Sequence, residues 1–355
     1  MDNSVSERYT VFPIKYQNLW DYYKKHVSTF WTVEEIRLTD DLVDWNEKLN
    51  DNERYFIKNI LAFFASSDGI VNENIITNFY NEIQIPEARN FYAMQMMIEA
   101  CHSEQYALLI DTYIIDNEEK SRLFAAAETI PAVKKKADWA IKWIEEGHLV
   151  NAIPGKYIDT FKQLQKSITD PTQLEALQFF TKDRASLAQR MVAYVCVEGI
   201  FFAGSFCAIY WLKNRGLMPG LSTANNYIAK DEALHAEFAS ELTKILPRLD
   251  TDVVYSIFKE AVDIEKEFIT ESLPVSLLGM NNKLMIQYIE YVADRWLYTL
   301  GYPKLYNVSN PFLFMELISV NTKTNFFEND VDQYRRPNIG ATESQREIGF
   351  DDDDF

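Results

Sequence analysis

A Glu-x-x-His pair occurs twice in this 355-residue chain. Glu99 and His102 form the first pair, and Glu232 and His235 form the second. Residues three apart lie on one face of an α-helix, so each pair presents a carboxylate and an imidazole together. One such pair is usually a feature of a solvated helix surface. Here the pair is repeated, and the two copies contain two of the chain's only four histidines. The repetition predicts that both pairs contribute to one metal site.

A single acid precedes each pair at a similar distance. Asp68 lies 31 residues before Glu99, and Glu198 lies 34 residues before Glu232. Both acids interrupt apolar stretches with the three- and four-residue recurrence of a helix. A buried carboxylate is costly unless it is paired, protonated or bound to a metal. The sequence therefore predicts a set of six ligands: Asp68, Glu99, His102, Glu198, Glu232 and His235.

Four carboxylates and two imidazoles suit two divalent cations, because four negative charges balance four positive ones. Oxygen and nitrogen ligands without a thiolate favour iron or manganese over zinc or copper(I). We predict two metal ions per chain, a di-iron pair first, with two manganese ions or one of each metal left open. Six protein ligands leave positions for bridging oxygen species derived from O2, so the site suits oxygen activation.

This ligand pattern resembles that of the ferritin-like di-metal carboxylate proteins, apart from Asp68, where their pattern has Glu. The resemblance implies an all-α fold, a ferritin-like helical bundle with a di-metal core and additional peripheral helices. Helical hydrophobic recurrence from about residue 39 to residue 300 agrees with it. We predict an N-terminal arm at 1–25, the di-metal helical domain at 26–320 and a flexible C-terminal tail at 321–355.

Charge and composition exclude other classes. The net charge of −18 argues against nucleic-acid binding, and Lys134 to Lys136 are expected to form a solvated face. The 22 residues from Met191 to Leu212 could span a bilayer, but a carboxylate at Glu198 is costly in lipid, which favours a protein interior and no membrane. Three cysteines without a CxxC motif, and no secretory signal, predict a cytoplasmic protein.

Tyr106 lies four residues after His102 and therefore faces the predicted site. Three apolar residues, spaced by four or eight from a ligand, are expected to shield it from water: Phe202, Phe206 and Ile228. One interpretation of Tyr106 is a core aromatic residue. The other is a dry phenol that a neighbouring metal oxidant converts to a stored radical.

Four stretches resemble the small, radical-generating subunit of class I ribonucleotide reductase: Leu61–Asn74, Glu99–Tyr106, Val197–Phe202 and Lys230–His235. The similarity extends from about residue 25 to residue 335. It implies that the six predicted residues are the metal ligands and that Tyr106 carries a stable tyrosyl radical. The radical would be generated with O2 and passed reversibly to a large subunit, which reduces ribonucleotides to deoxyribonucleotides.

The resemblance also implies further roles. Trp31 and Asp231 match residues that connect the metal site, through His102, to the electron-transfer route. Tyr334 matches a tail tyrosine that passes the radical to the large subunit, and the acidic C-terminus ending in Phe355 resembles a docking peptide. The protein is expected to be a homodimer. Alternatively, Trp31 serves only in packing, Asp231 simply precedes a ligand and Tyr334 is an ordinary tail residue.

Three other hypotheses remain open at this point. A metal-centred oxidant would make Tyr106 dispensable for the radical. A di-iron oxygenase or desaturase would need a substrate pocket beside the metals, where Phe202, Phe206 and Ile228 are expected to fill the space. Iron storage in a ferritin-like shell would require a cage rather than a dimer.

Overall fold

The computed structural model describes residues 10–152, 160, 163–164, 166–171, 173 and 185–315. Within these ranges all regular secondary structure is helical, which confirms the predicted all-α class. The α-helices are α1 Gln17–Ser28, α2 Asp51–Asn74, α3 Tyr80–Glu82, α4 Pro86–Tyr113, α5 Asn117–Phe124, α6 Ala126–Thr129, α7 Pro131–Ala152, α8 Leu187–Cys196, α9 Ala203–Asn214, α10 Pro219–Thr243, α11 Thr251–Glu267 and α12 Asn282–Thr299. The π-helical turns are Asp44–Lys48, Ile75–Phe79, Val197–Phe201 and Phe268–Ser272, and the 3-10 turns are Val33–Glu35, Leu38–Asp41 and Val275–Leu278.

Two packed helix pairs form the centre of the bundle. Helix α2 packs against α4, α8 packs against α10, and contacts between α4 and α10 join the two pairs. Helices α5, α6 and α7 cover α2, while α11 and α12 pack around the π-helical turn Val197–Phe201. This is the predicted ferritin-like bundle with peripheral helices. Helices α2, α4 and α10 carry five of the six predicted ligands, and the π-helical turn directly after α8 carries Glu198.

Helix α1 crosses the boundary predicted between an N-terminal arm and the helical domain. It packs against α4 and α10, and Leu19 and His26 are buried in these contacts. The domain division therefore stays a prediction, while α1 lies against the central bundle. The predicted tail at 321–355, with Tyr334, falls outside the described residues.

The first turn of α10 is held by a buried carboxylate from the 3-10 turn Leu38–Asp41. Asp41 accepts hydrogen bonds from the backbone N–H groups of Gly220 at 2.6 Å and Leu221 at 2.7 Å, and from the hydroxyl of Tyr113. The first N–H groups of a helix have no partner within the helix, and its positive end favours an anion. Asp41 thus fixes the start of the helix that carries Glu232 and His235.

The apolar stretch around Glu198 is the one helical segment, within the described ranges, that has the length and composition to cross a membrane. It extends from Leu187 to Asn214, and its apolar 18-residue stretch is completely buried inside the protein. The sequence predicts one unbroken helix through Met191 to Phe206, but the structure interrupts it with the π-helical turn Val197–Phe201. Insertions of this kind often mark functional sites. Here the inserted turn carries Glu198.

Lys136 contradicts the predicted solvated face, although Lys134 and Lys135 before it are exposed. It is only 2% exposed, forms an ion pair with Glu265, and donates a hydrogen bond to the backbone oxygen of Phe201 at 2.7 Å. Burial lowers the pKa of Lys136 to about 8, against the opposing effect of Glu265. Burial also raises the pKa of Glu265 to about 7. The pair links α7 and α11 beneath the π-helical turn.

We expect Lys136→Met to destabilise the metal-free protein by about 3–5 kcal/mol, because it leaves a buried carboxylate without its partner. The double variant Lys136→Met/Glu265→Leu should recover most of this loss, since apolar replacement of a whole buried pair is often neutral. Urea unfolding measures both free energies. Lys135→Met, which removes an exposed ion pair with Glu267, is the control and should change stability by less than about 1 kcal/mol. Equal losses in the single and double variants would contradict this explanation.

Candidate metal centre

The bundle brings the six predicted ligands together at its centre. Two overlapping groups are present, and within each group one ligand atom per residue lies within 4.8 Å of the others. The first group is Asp68, Glu99 and His102, and the second is Glu99, Glu198, Glu232 and His235. All six side chains are buried. Glu99 belongs to both groups and therefore lies between the two positions that cations would occupy.

Both histidines present the same ring nitrogen to the carboxylates. Nδ1 of His102 lies 3.4 Å from Glu99 Oε2 and 3.2 Å from Glu232 Oε1. Nδ1 of His235 lies 3.1 Å from Glu99 Oε1 and 3.1 Å from Glu232 Oε2. The Nε2 atoms point away from the carboxylates. Each imidazole therefore offers Nδ1 as its inner ligand atom.

Two of the ligand carboxylates have a raised proton affinity in this interior. Burial raises the pKa of Asp68, with Glu99 adding to the shift, and burial followed by Glu232 and Glu99 raises the pKa of Glu198. Burial lowers the pKa of His235, but hydrogen bonds to Glu232 and Glu99 outweigh it and raise that pKa to about 9. Asp68, Glu198 and His235 thus favour their protonated forms, and a divalent cation would displace those protons.

Several inner atoms also lack hydrogen bonds. Among the described residues, the following make none: Asp68 Oδ2, Glu99 Oε2, Glu198 Oε2 and His102 Nδ1. Buried polar atoms without a partner are rare in proteins and costly. Here the unpartnered atoms are carboxylate oxygens and an imidazole nitrogen, which iron and manganese accept as ligands. The residues present therefore fit a pair of divalent cations.

Two further buried side chains contact the centre, and the sequence analysis did not predict either of them. Gln95 Nε2 lies 2.6 Å from the hydroxyl oxygen of Tyr194, 3.3 Å from Glu198 Oε1 and 3.4 Å from Glu99 Oε1. Gln95 precedes Glu99 by four residues, and Tyr194 precedes Glu198 by four. That spacing, one turn earlier on the same face, is the signal that could have identified them.

An indole and a carboxylate lie behind His102. The Nε1–H group of Trp31 donates to Asp231 Oδ2 at 2.8 Å, and the same oxygen lies 3.1 Å from His102 Nε2. The Trp31 ring also stacks on the His102 ring, with 5.8 Å between centroids and 20° between planes. All three side chains are buried. The contacts form an unbroken path from the indole to the inner ligand.

Tyr106 lies in an apolar pocket beside the centre. It is 2% exposed, and its hydroxyl makes no hydrogen bond to any described residue. Its ring stacks on Phe64 at 4.7 Å, and Phe64 in turn stacks on Phe206 at 5.3 Å and Phe202 at 5.8 Å. Burial, followed by Asp68, raises the pKa of Tyr106, which keeps the phenol neutral.

Phe64 was not predicted from the sequence to line the Tyr106 pocket, although it precedes Asp68 by one helical turn. Ile228, which was expected to complete the pocket, is buried on α10 one turn before Glu232. The predicted apolar side chains therefore lie in the interior around the centre, and the direct stacking partner of Tyr106 is Phe64.

The fold and the site together define a helical-bundle protein with a buried cluster of carboxylates and histidines suited to two metal ions. A phenol buried among apolar rings lies beside this cluster. Residues 8–311 match the family described as ribonucleotide reductase, small chain. The ribonucleoside-diphosphate reductase small subunit of Dictyostelium discoideum is 49% identical over 334 residues, which cover 94% of this chain and 88% of that protein. The small chain of Trypanosoma brucei brucei is 48% identical over 351 residues, with coverages of 98% and 93%. The chain belongs to the ribonucleotide reductase small-chain family.

A solved structure agrees with this membership. The ribonucleotide reductase Rnr4 homodimer of Saccharomyces cerevisiae superposes with a TM-score of 0.71 and 35% sequence identity, and the match covers 90% of each chain. The resemblance drawn from the four sequence stretches is thus confirmed. Membership in this family favours the reductase hypothesis over iron storage and over an oxygenase.

Proposed function

We propose that this chain is the small subunit of a ribonucleoside-diphosphate reductase, which generates an organic radical and acts together with a large subunit. The observation that carries the proposal is the buried set of six ligands beside a phenol on the same helix as Glu99 and His102. Two redox-active ions bound there supply, with O2, the power to oxidise a phenol by one electron. Asp68, Glu99, His102, Glu198, Glu232 and His235 would hold those ions.

Tyr106 is the residue that we propose to store the radical. Its oxidation removes one electron and the hydroxyl proton, and leaves an uncharged phenoxyl group. The apolar surroundings favour an uncharged product and keep it away from reductants dissolved in water. Stacking on Phe64 holds the ring in place. The alternative, a radical kept on the metals, makes a different prediction for the Tyr106 variant treated in the Discussion.

The native metals are proposed to be two irons, with two manganese ions or one of each as alternatives. Two imidazole nitrogens and carboxylate oxygens support these metals over thiolate-seeking ones. Activation of the metal-free protein with ferrous iron and air, followed by electron paramagnetic resonance (EPR), tests the proposal. A sharp organic radical and deoxyribonucleotide formation with the large subunit are expected. Full metal loading without either result would overturn it.

Trp31, Asp231 and His102 are proposed to connect the centre to the large subunit. The hydrogen bonds from indole to carboxylate to imidazole, all buried, support this route. Tyr334 and the acidic tail are proposed to complete it by docking, as the family resemblance implies. We further propose a homodimer in the cytoplasm, and the three buried free thiols support a reducing compartment.

We expect Trp31→Phe to keep both metal ions and the Tyr106 radical but to lose nucleotide reduction. Phenylalanine is harder to oxidise than an indole and has no N–H group to donate to Asp231. EPR counts the radical, and deoxyribonucleotide formation with the large subunit measures transfer. Trp20→Phe on α1, whose ring contacts Phe12 and Tyr23, is the matched control and should retain both properties. Undiminished reduction by Trp31→Phe would exclude it from the route.

A further inference from the structure

His26 lies directly behind the inner ligand His235, at a position to which the sequence analysis assigned no role. Their Nε2 atoms are 2.9 Å apart, although 209 residues separate the two histidines in the chain. The ring centroids are 5.0 Å apart, and neither side chain is exposed. Helix α1, which carries His26, packs against both α4 and α10. The contact is therefore part of the bundle interior.

Two ring nitrogens at this distance share one proton, so one nitrogen donates and the other accepts. His235 Nδ1 faces Glu99 and Glu232, where a cation would require its lone pair. A neutral imidazole that binds a metal through Nδ1 carries its proton on Nε2. His235 Nε2–H therefore donates to His26 Nε2. A ring nitrogen that accepts a hydrogen bond carries no proton, so His26 holds its single proton on Nδ1 and its ring is uncharged.

The two inner histidines differ in what lies behind them. His102 Nε2 faces the carboxylate of Asp231 at 3.1 Å, whereas His235 Nε2 faces the neutral ring of His26. A hydrogen bond to a charged acceptor is stronger than one to a neutral acceptor, and it makes the donating imidazole a more basic metal ligand. The two cation positions thus differ in what lies behind their histidines, in addition to the different carboxylates of the two groups.

We propose that His26 is a positioning residue that holds His235 with Nδ1 toward the metals, and that its neutral acceptor makes the position beside His235 the weaker of the two. The inference rests on the proposed function, because it takes His235 as a ligand. Partners behind a metal-binding histidine typically change metal affinity by 10–100-fold. Loss of the His26 acceptor should therefore weaken one ion and spare the other.

The test titrates metal-free protein with Mn²⁺, using calorimetry for affinity and EPR to count unbound ions. Wild type should bind two ions per chain with unequal affinities. His26→Leu should bind the weaker ion about 10–100-fold less tightly and leave the tighter ion unchanged. His26→Gln should restore the weaker ion, because its amide oxygen accepts the same hydrogen bond. Asp231→Asn should instead weaken the tighter ion.

Leu19→Ala on the same helix is the packing control, since Leu19 is buried and is not part of the metal centre. It should lower the melting temperature and leave both Mn²⁺ affinities unchanged. Two bound ions with unchanged affinities in His26→Leu would overturn the inference about His26 alone. Equal weakening of both ions, failure of His26→Gln to restore binding, or the same loss in Leu19→Ala would also overturn it. Absence of Mn²⁺ binding by wild type would overturn the proposed function itself.

Discussion

Tyr106→Phe is expected to abolish the organic radical that the wild-type protein forms with ferrous iron and air, while both metal ions stay bound. The substitution removes one hydroxyl oxygen and leaves the ring, its stacking on Phe64 and all six ligands in place. The hydroxyl makes no hydrogen bond to the described residues, so the free energy of unfolding should change by less than about 1 kcal/mol. EPR and metal analysis of the same sample separate loss of the radical from loss of the metals.

Nucleotide reduction with the large subunit should fall to background in the same variant, because the stored oxidising equivalent is absent. Tyr92→Phe is the matched control. Tyr92 lies on the same helix, is completely buried and has its hydroxyl 4.0 Å from Met191 Sδ, so this variant should keep the radical and the activity. Substantial activity in Tyr106→Phe would contradict the tyrosyl proposal and favour a metal-centred oxidant.

Glu99→Ala should have the other large effect, the loss of both metal ions rather than one. Glu99 contributes an oxygen to each group of converging ligands, and its two oxygens lie near both inner imidazole nitrogens. Asp68 belongs to one group only, so Asp68→Ala should weaken mainly the ion beside His102. Calorimetric titration with Mn²⁺ measures both effects. Glu104→Ala, on the same helix but exposed, should bind two ions as the wild type does.

The melting temperature of Glu99→Ala should also no longer depend on added metal. A ligand that binds only the folded protein adds about 4 kcal/mol of stability per site at a free concentration 1,000 times its Kd. Saturating Mn²⁺ should therefore raise the melting temperature of the wild type and of Glu104→Ala, but not that of Glu99→Ala. A metal-dependent rise in Glu99→Ala equal to that of the wild type would show that Glu99 is not shared between the two ions.

The inner ligands were predictable because their relations are local. Glu and His three residues apart must share a face of a helix, whatever the rest of the chain does. Tyr106 follows from the same rule, one turn after His102. Pro86, which begins α4, and Gly216, which follows the end of α9 with a φ of 71°, mark helix ends by their backbone geometry alone. The all-α class follows from hydrophobic recurrence over most of the chain.

The interruption of the helix at Glu198 was not predictable from local sequence. The π-helical turn is supported by donors from distant helices: Trp296 Nε1 donates to the backbone oxygen of Gly199 at 3.0 Å, and Lys136 donates to that of Phe201 at 2.7 Å. Lys136 itself looked like part of a charged surface. Its partners lie on other helices, so nothing near it in the sequence indicates that it is buried.

The sequence alone determined which carboxylates, imidazoles and phenol share a helical face, because the period of the helix sets those relations over a few residues. Only the tertiary structure decided what lies behind them. His26 behind His235, Asp231 between Trp31 and His102, and Phe64 against Tyr106 are contacts between faces of different helices. Which faces meet depends on how the whole bundle buries its apolar surface, and no spacing within one helix encodes that choice.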